Sequence, residues 1–255
     1  MKRTPFICGN WKLHHGLEAT RREARALVDG MSSLRGKVEL AIAPVATTLF
    51  AATEAAKGSS LIIAGQNVHF AEKGAYTGEW SVAHLKELGV TTVIVGHSER
   101  RAMFGDTNES VGKKVRAVLD GGLRPIACCG ETLGEREGGK MVDVVTAQVE
   151  GFLAVVQAHD VEKLVIAYEP VWAIGTGKNA TAGQAQEVHK VIRSPVYSRF
   201  GDVANSVRIQ YGGSVKPENA AELLAEPDVD GALVGGASLD AKSLLAIAQA
   251  ALQRV

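Results

Sequence analysis

The sequence predicts an α/β fold: a single (β/α)8 barrel of eight parallel strands ringed by helices. Three observations carry that prediction. Eight short β-rich apolar runs alternate with helical stretches, several runs are continuously apolar, and their ends follow one another at spacings of 23 to 42 residues. Continuous runs such as Val93-Ile94-Val95 and Leu164-Val165-Ile166 mark strands buried on both faces, as in parallel sheets. Eight such units in 255 residues suit a barrel folding as one domain, 1–255. An open, doubly wound sheet is the alternative. It calls for a Gly-rich turn after the first strand, and Gly9-Asn10-Trp11-Lys12 is not G-x-G-x-x-G.

The strands are expected over 5–9, 38–43, 61–65, 90–96, 124–129, 163–169, 207–212 and 231–235. Between them, Met141, Val145, Val149, Phe152, Leu153 and Val156 form one helical stripe, predicting a helix over 141–156. Val111, Val115, Val118 and Leu119 form another. Thr181 and Gln184 have capping-box spacing, so a helix is expected to start there, and Ser98 is placed to cap the helix after the fourth strand.

Composition excludes several classes. Hydrophobic residues are 46% and charged residues 22%, which is globular usage and not disorder. Lys+Arg and Asp+Glu are both 28, so the chain lacks the basic excess of a nucleic-acid or membrane-surface protein. The N-terminal apolar run is too short for a signal peptide, and no run approaches the ~18 residues of a membrane span. The three cysteines, Cys8, Cys128 and Cys129, are odd in number and few. They imply a reducing, cytoplasmic setting and no disulfide framework. Cys128-Cys129, inside an apolar strand, reads as inert packing.

Polar residues gather at the C-terminal ends of the strands, the face where barrels carry their chemistry. These are Asn10 and Lys12, Gln66 and Asn67, His97 and Glu99, Glu131, Glu169, Gly212-Gly213-Ser214 and Gly235-Gly236. Glu169 ends a buried strand before Pro170. A carboxylate there is costly to ionise, so a raised pKa and a general-base role are expected; a structural ion pair is the competing reading. His97 at a helix start feels the positive end of the dipole, which favours a neutral imidazole able to donate to a carbonyl; a satisfied core histidine is the alternative. The Gly-Gly pairs after the seventh and eighth strands let backbone N–H groups approach an anion, against the plainer reading of tight turns. Lys12 can neutralise a phosphate or an oxyanion, or lie exposed. The segment 171–178 reads as a lid or a packed surface loop. The long polar stretch from Gln66 to Trp80, with Phe70, Tyr76 and Trp80, reads as a loop that is functional or contacts a partner, exposed aromatics favouring an interface. No cluster has metal-ligand spacing.

Together these segments resemble the triosephosphate isomerase family. The carriers are Gly9-Asn10-Trp11-Lys12, Gly78-Glu79, Gly96-His97-Ser98-Glu99-Arg100-Arg101, Cys128 with Gly130-Glu131, 168–178, 211–215 and 235–239. The resemblance implies an isomerase that interconverts dihydroxyacetone phosphate and D-glyceraldehyde 3-phosphate through an enediolate, in glycolysis and gluconeogenesis, without metal or cofactor. It makes Glu169 the base that moves a proton between carbons and His97 the neutral electrophile. Lys12 stabilises negative charge, and Asn10 positions substrate. Backbone at Gly175, Ser214, Gly235 and Gly236 would grip the phosphate. It implies a homodimer in which the 66–80 loop, with Thr77 near its tip, sits beside the neighbouring subunit's Asn10 and Lys12. Leu13 stands where the family commonly has Met, Trp80 where a smaller residue is usual, and His14-His15 is an unfamiliar pair. Two competitors remain: another phosphate-handling barrel such as an aldolase, which would want a Schiff-base lysine at a strand end, and a non-catalytic phosphate-binding barrel acting as a scaffold.

Overall fold

A computed structural model describes residues 3–174 and 180–254. Eight parallel strands close on themselves in sequence order: β1 (Phe6–Asn10), β2 (Glu39–Ala43), β3 (Ile62–Gly65), β4 (Thr92–Val95), β5 (Arg124–Cys129), β6 (Val165–Tyr168), β7 (Arg208–Tyr211) and β8 (Gly231–Val234). All eight expected strands are present, and their observed ends differ from the apolar runs by no more than two residues. β1 pairs on one side with β2 and on the other with β8, Phe6 opposite both Glu39 and Gly231.

Two layers of apolar residues follow from strand alternation. One set, Phe6, Cys8, Ala41, Ala64, Ile94, Ile126, Cys128, Val165, Ala167 and Leu233 among them, fills the inside of the ring. The other, including Ile7, Leu40, Ile63, Val93, Ala127, Ile166 and Val234, packs against the helices. Both sets are buried, so the runs read as continuously apolar. The ring is a filled core and not a pore.

The period of two also places the chemistry. In β1 the inward positions are Phe6 and Cys8, and the next is Asn10. In β6 they are Val165 and Ala167, and the next is Glu169. In β8 the inward residue is Leu233, and the next is Gly235. The residues expected at the site are therefore one further inward layer, laid on the C-terminal end of the core. The N-terminal end is sealed: Phe6 lies between the guanidinium groups of Arg124 and Arg208, 5.3 and 5.2 Å from its ring centre. Glu39 accepts hydrogen bonds from both arginines.

The helix expected over 141–156 runs from Met141 to Leu153; past it, a tighter turn brings Val156 onto the core. Thr181 and Gln184 form the expected reciprocal cap. Ser98 is not a cap. The residue at the N-cap of Ser98–Phe104 is His97, whose ring accepts from the Glu99 N–H, and the Ser98 hydroxyl turns to Glu169. The three cysteines are free and buried. Burial pushes the Cys8 thiol up to about 12, and Cys128 and Cys129 are also raised by burial, in keeping with inert packing. Among the described residues no helix is long and apolar enough to cross a membrane.

Candidate active site

Asn10, Lys12, His97, Glu169, Ser214, Gly235 and Gly236 line one cavity of about 230 Å³ at the C-terminal mouth of the barrel. Gly175 lies outside the described residues. Of the 171–178 segment, Val171–Ala173 forms a short 3-10 turn, and Ala173 and Ile174 reach the cavity wall.

Glu169 is 1% exposed. Its position leaves no room beside it: a Cβ on Gly130 would lie 1.7 Å from the Glu169 carbonyl oxygen, and one on Gly212 would lie 2.9 Å from Glu169 Cγ. The carboxylate accepts from the Ser98 N–H at 3.0 Å and the Ser98 hydroxyl at 3.1 Å, and His97 Nε2 lies 2.9 Å from Oε1. Burial alone would raise the Glu169 pKa, as the sequence reading anticipates. The correction is that attraction to His97 and the donors on His97 and Ser98 outweigh burial and hold it below its ordinary range. The group is a carboxylate, ready to accept a proton.

His97 is 6% exposed. The Glu99 N–H donates to its Nδ1 at 3.2 Å, so that nitrogen is the acceptor and Nε2 carries the hydrogen. Burial pulls its pKa down and the Glu169 carboxylate pulls it up, with a net rise while the two stay paired. A second proton would have to displace the Glu99 N–H from Nδ1. With Nδ1 taken by the Glu99 N–H, Nε2 is the nitrogen that faces Glu169 and the cavity.

Lys12 has left-handed backbone, φ 49°. Two side chains hold that conformation: the Lys12 N–H donates to Asn10 Oδ1 at 3.1 Å, and Gln66 Nε2 donates to the Lys12 carbonyl at 2.8 Å. The ammonium group is 2.6 Å from Glu99 Oε1. Its arm crosses toward Gly235, where an added Cβ would lie 3.5 Å from Lys12 Cε. Around Gly236 an added Cβ would meet nothing within 4 Å, so that backbone is open to the cavity.

Sequence reasoning missed three supporting residues. Ser98 restrains Glu169, and Gln66 holds Lys12. Glu131 is a buried hub whose Oε1 accepts from Tyr168 Oη, Trp172 Nε1 and Arg136 Nη1 at 2.9–3.0 Å, tying the 3-10 turn at Val171–Ala173 to β5 and β6. The polar clustering at strand ends pointed to Gln66 and Glu131 without assigning their partners. In the 66–80 loop, Phe70 and Tyr76 are exposed as expected, but Trp80 is half-buried and its indole donates to the Asn67 carbonyl at 2.8 Å, closing the loop's base.

Comparison with known proteins points to one family. The family model described as Triosephosphate isomerase matches residues 5–251. A triosephosphate isomerase of Streptococcus agalactiae is 52% identical over 251 residues, covering 97% of this chain and 98% of the relative. Those of Carboxydothermus hydrogenoformans and Lactobacillus acidophilus are each 51% identical, covering 98% and 97% of this chain and 100% and 98% of the relatives. With this match along nearly its whole length, the chain belongs to the triosephosphate isomerase family.

Proposed function

We infer that this protein interconverts dihydroxyacetone phosphate and D-glyceraldehyde 3-phosphate, the isomerase step of glycolysis and gluconeogenesis, with the chain working as one barrel domain. The observation that carries this reading is the Glu169 carboxylate, the His97 imidazole and the Lys12 ammonium lining one cavity over an open glycine backbone. Glu169 takes a proton from the carbon beside the substrate carbonyl and returns it to the neighbouring carbon. To do so the carboxylate leaves Ser98 and His97. That frees the His97 Nε2–H, which then donates to the carbonyl, stabilises the enediolate oxygen and carries the hydroxyl proton from one oxygen to the other, so that the old hydroxyl becomes the new carbonyl. The Lys12 ammonium adds positive charge between this pair and Gly235. Backbone at Ser214, Gly235 and Gly236 holds the phosphate, and Asn10 fixes the Lys12 turn. Gly175 belongs to the same grip by its resemblance to the family. Ile174 and the lid exclude water from the intermediate.

The test is turnover of glyceraldehyde 3-phosphate, followed by NADH-dependent reduction of the dihydroxyacetone phosphate formed. Rapid turnover is expected. Phosphate binding without turnover would reverse the reading in favour of a scaffold barrel.

The acid limb of the kcat/KM profile is expected to contain the titration of Glu169 in the free enzyme, held low by its pairing with His97 and Ser98. Ser98→Ala deletes one donor to that carboxylate and is expected to move the limb to higher pH. A limb that stays in place in Ser98→Ala would show that another group sets it.

We further place the protein in the cytoplasm as a homodimer built on the 66–80 loop. Leu13 is 92% exposed, and Tyr76, Met103 and Phe104 also project into solvent from strand-end segments on the same end of the barrel. Single chains would leave these apolar groups in water. Leu13→Asp is expected to convert a dimer into monomers in sedimentation analysis at micromolar concentration. An unchanged dimer would remove this segment from the interface.

A further inference from the structure

The turn after β8 carries Gly235 and Gly236 on its cavity side, and the segment after β1 holds it from behind. Trp11 Nε1 donates to the Ser238 carbonyl at 2.9 Å. His15 Nε2 lies 2.9 Å from the next carbonyl oxygen, that of Leu239. A carbonyl oxygen only accepts, so this Nε2 carries a hydrogen. The two rings support one another edge to face, with centres 4.8 Å apart. His15 reaches this place because its backbone is left-handed, φ 62°, a conformation that β-carbon-bearing residues rarely take.

On its cavity side the turn is open. An added Cβ at Gly236 would have no neighbour within 4 Å, and at Gly235 it would meet only the Lys12 arm. Inside the turn, Ser238 bonds back to the Gly235 carbonyl through its hydroxyl and its N–H. Ser238 also packs closely on Gly9, and just past the turn the Ala241 N–H donates to Glu23 Oε2 at 3.1 Å; among the described residues, the donors that reach the carbonyls of Ser238 and Leu239 are the two rings from residues 11 and 15. The same short segment carries Lys12 between them.

We propose that His15 is a positioning residue for phosphate recognition. Its Nε2–H fixes the exit of the 235–239 turn, so that the N–H groups of Gly235 and Gly236 are aimed before substrate arrives. This rests on the reading that these glycines grip the phosphate. Loss of the anchor leaves the turn to be ordered at binding, a cost that falls on ground state and transition state alike. It therefore appears in KM and not in kcat.

The test compares His15→Asn with His15→Gln. Both amides can donate, and Asn tolerates left-handed backbone well, but its side chain is one carbon too short to reach Leu239. His15→Asn is expected to raise KM for glyceraldehyde 3-phosphate and the inhibition constant of inorganic phosphate together, by about five-fold, with kcat within about two-fold. His15→Gln is expected to restore most of the loss. His15→Gly, which left-handed backbone accepts without strain, serves in place of His15→Asn if that variant does not fold. Unchanged phosphate inhibition in His15→Asn, or equal losses in the Asn and Gln variants, overturns the proposal. Gly236→Asp separates the two readings. If it leaves phosphate inhibition intact, the glycine grip itself is wrong. If it abolishes inhibition while His15→Asn changes nothing, only the role of His15 falls.

Discussion

Glu169→Gln is expected to lower kcat by ~10²–10⁴-fold, the range typical of losing a positioned general base. The substitution keeps the shape of the side chain and removes its ability to take a proton. It also has a structural consequence that the geometry allows to be stated. Glu169 receives three donors, from the Ser98 N–H, the Ser98 hydroxyl and His97 Nε2. A glutamine has one acceptor oxygen and an NH2 group, so one of the buried donors faces another donor. Leaving a buried donor unpaired costs about 1–3 kcal/mol. The variant is therefore expected to be folded but less stable, with its affinity for inorganic phosphate retained. Coupled turnover, a thermal melt and phosphate inhibition together check this. A kcat near that of the parent would take the base role away from Glu169.

Lys12→Met is expected to do the converse: large damage to activity with little to stability. The ammonium group supplies fixed positive charge in the cavity, and losing such a group costs ~10²–10³-fold in rate. Its pairing with Glu99 contributes little to folding, because the two side chains are 28% and 38% exposed and such pairs are worth about 0–1 kcal/mol. Methionine also preserves the length of the arm and leaves Asn10 Oδ1 and Gln66 free to hold the same backbone turn. The check is kcat/KM beside the thermal midpoint. An equal collapse of fold and rate would make Lys12 a structural residue.

The parts of this molecule legible in the sequence are those set by local period. A parallel strand covered on both faces must be apolar throughout, so the eight runs stood out. Alternation within those runs then carries Asn10 and Glu169 to the inner face of the mouth. Residues whose meaning depends on a distant partner were harder to read. Ser98 is 71 residues from the carboxylate it holds, and Gln66 is 54 from Lys12. Glu131 gathers donors 37 and 41 residues away. Nothing in the local spacing announces such pairs. The same blindness reversed the sign of the Glu169 shift, because burial can be inferred from a strand end while three donors converging from β4 and its following helix cannot. The cap at 97–98 was misassigned for a related reason. Serine is the commoner cap, but here its hydroxyl serves Glu169, and the histidine beside it takes over the helix end.

The join between β1 and β8 has a bearing on how the protein comes into being. Asn10 and Lys12 sit on the first strand and the segment leaving it, and Gly235-Gly236 on the turn after the last, brought side by side only when those two strands pair. A chain emerging from the ribosome thus has Glu169 and His97 by about two thirds of its length, while the proposed seat for the phosphate is complete only when the final strand arrives. On the proposed reading, the pocket gains its last wall only at ring closure, when β8 pairs with β1.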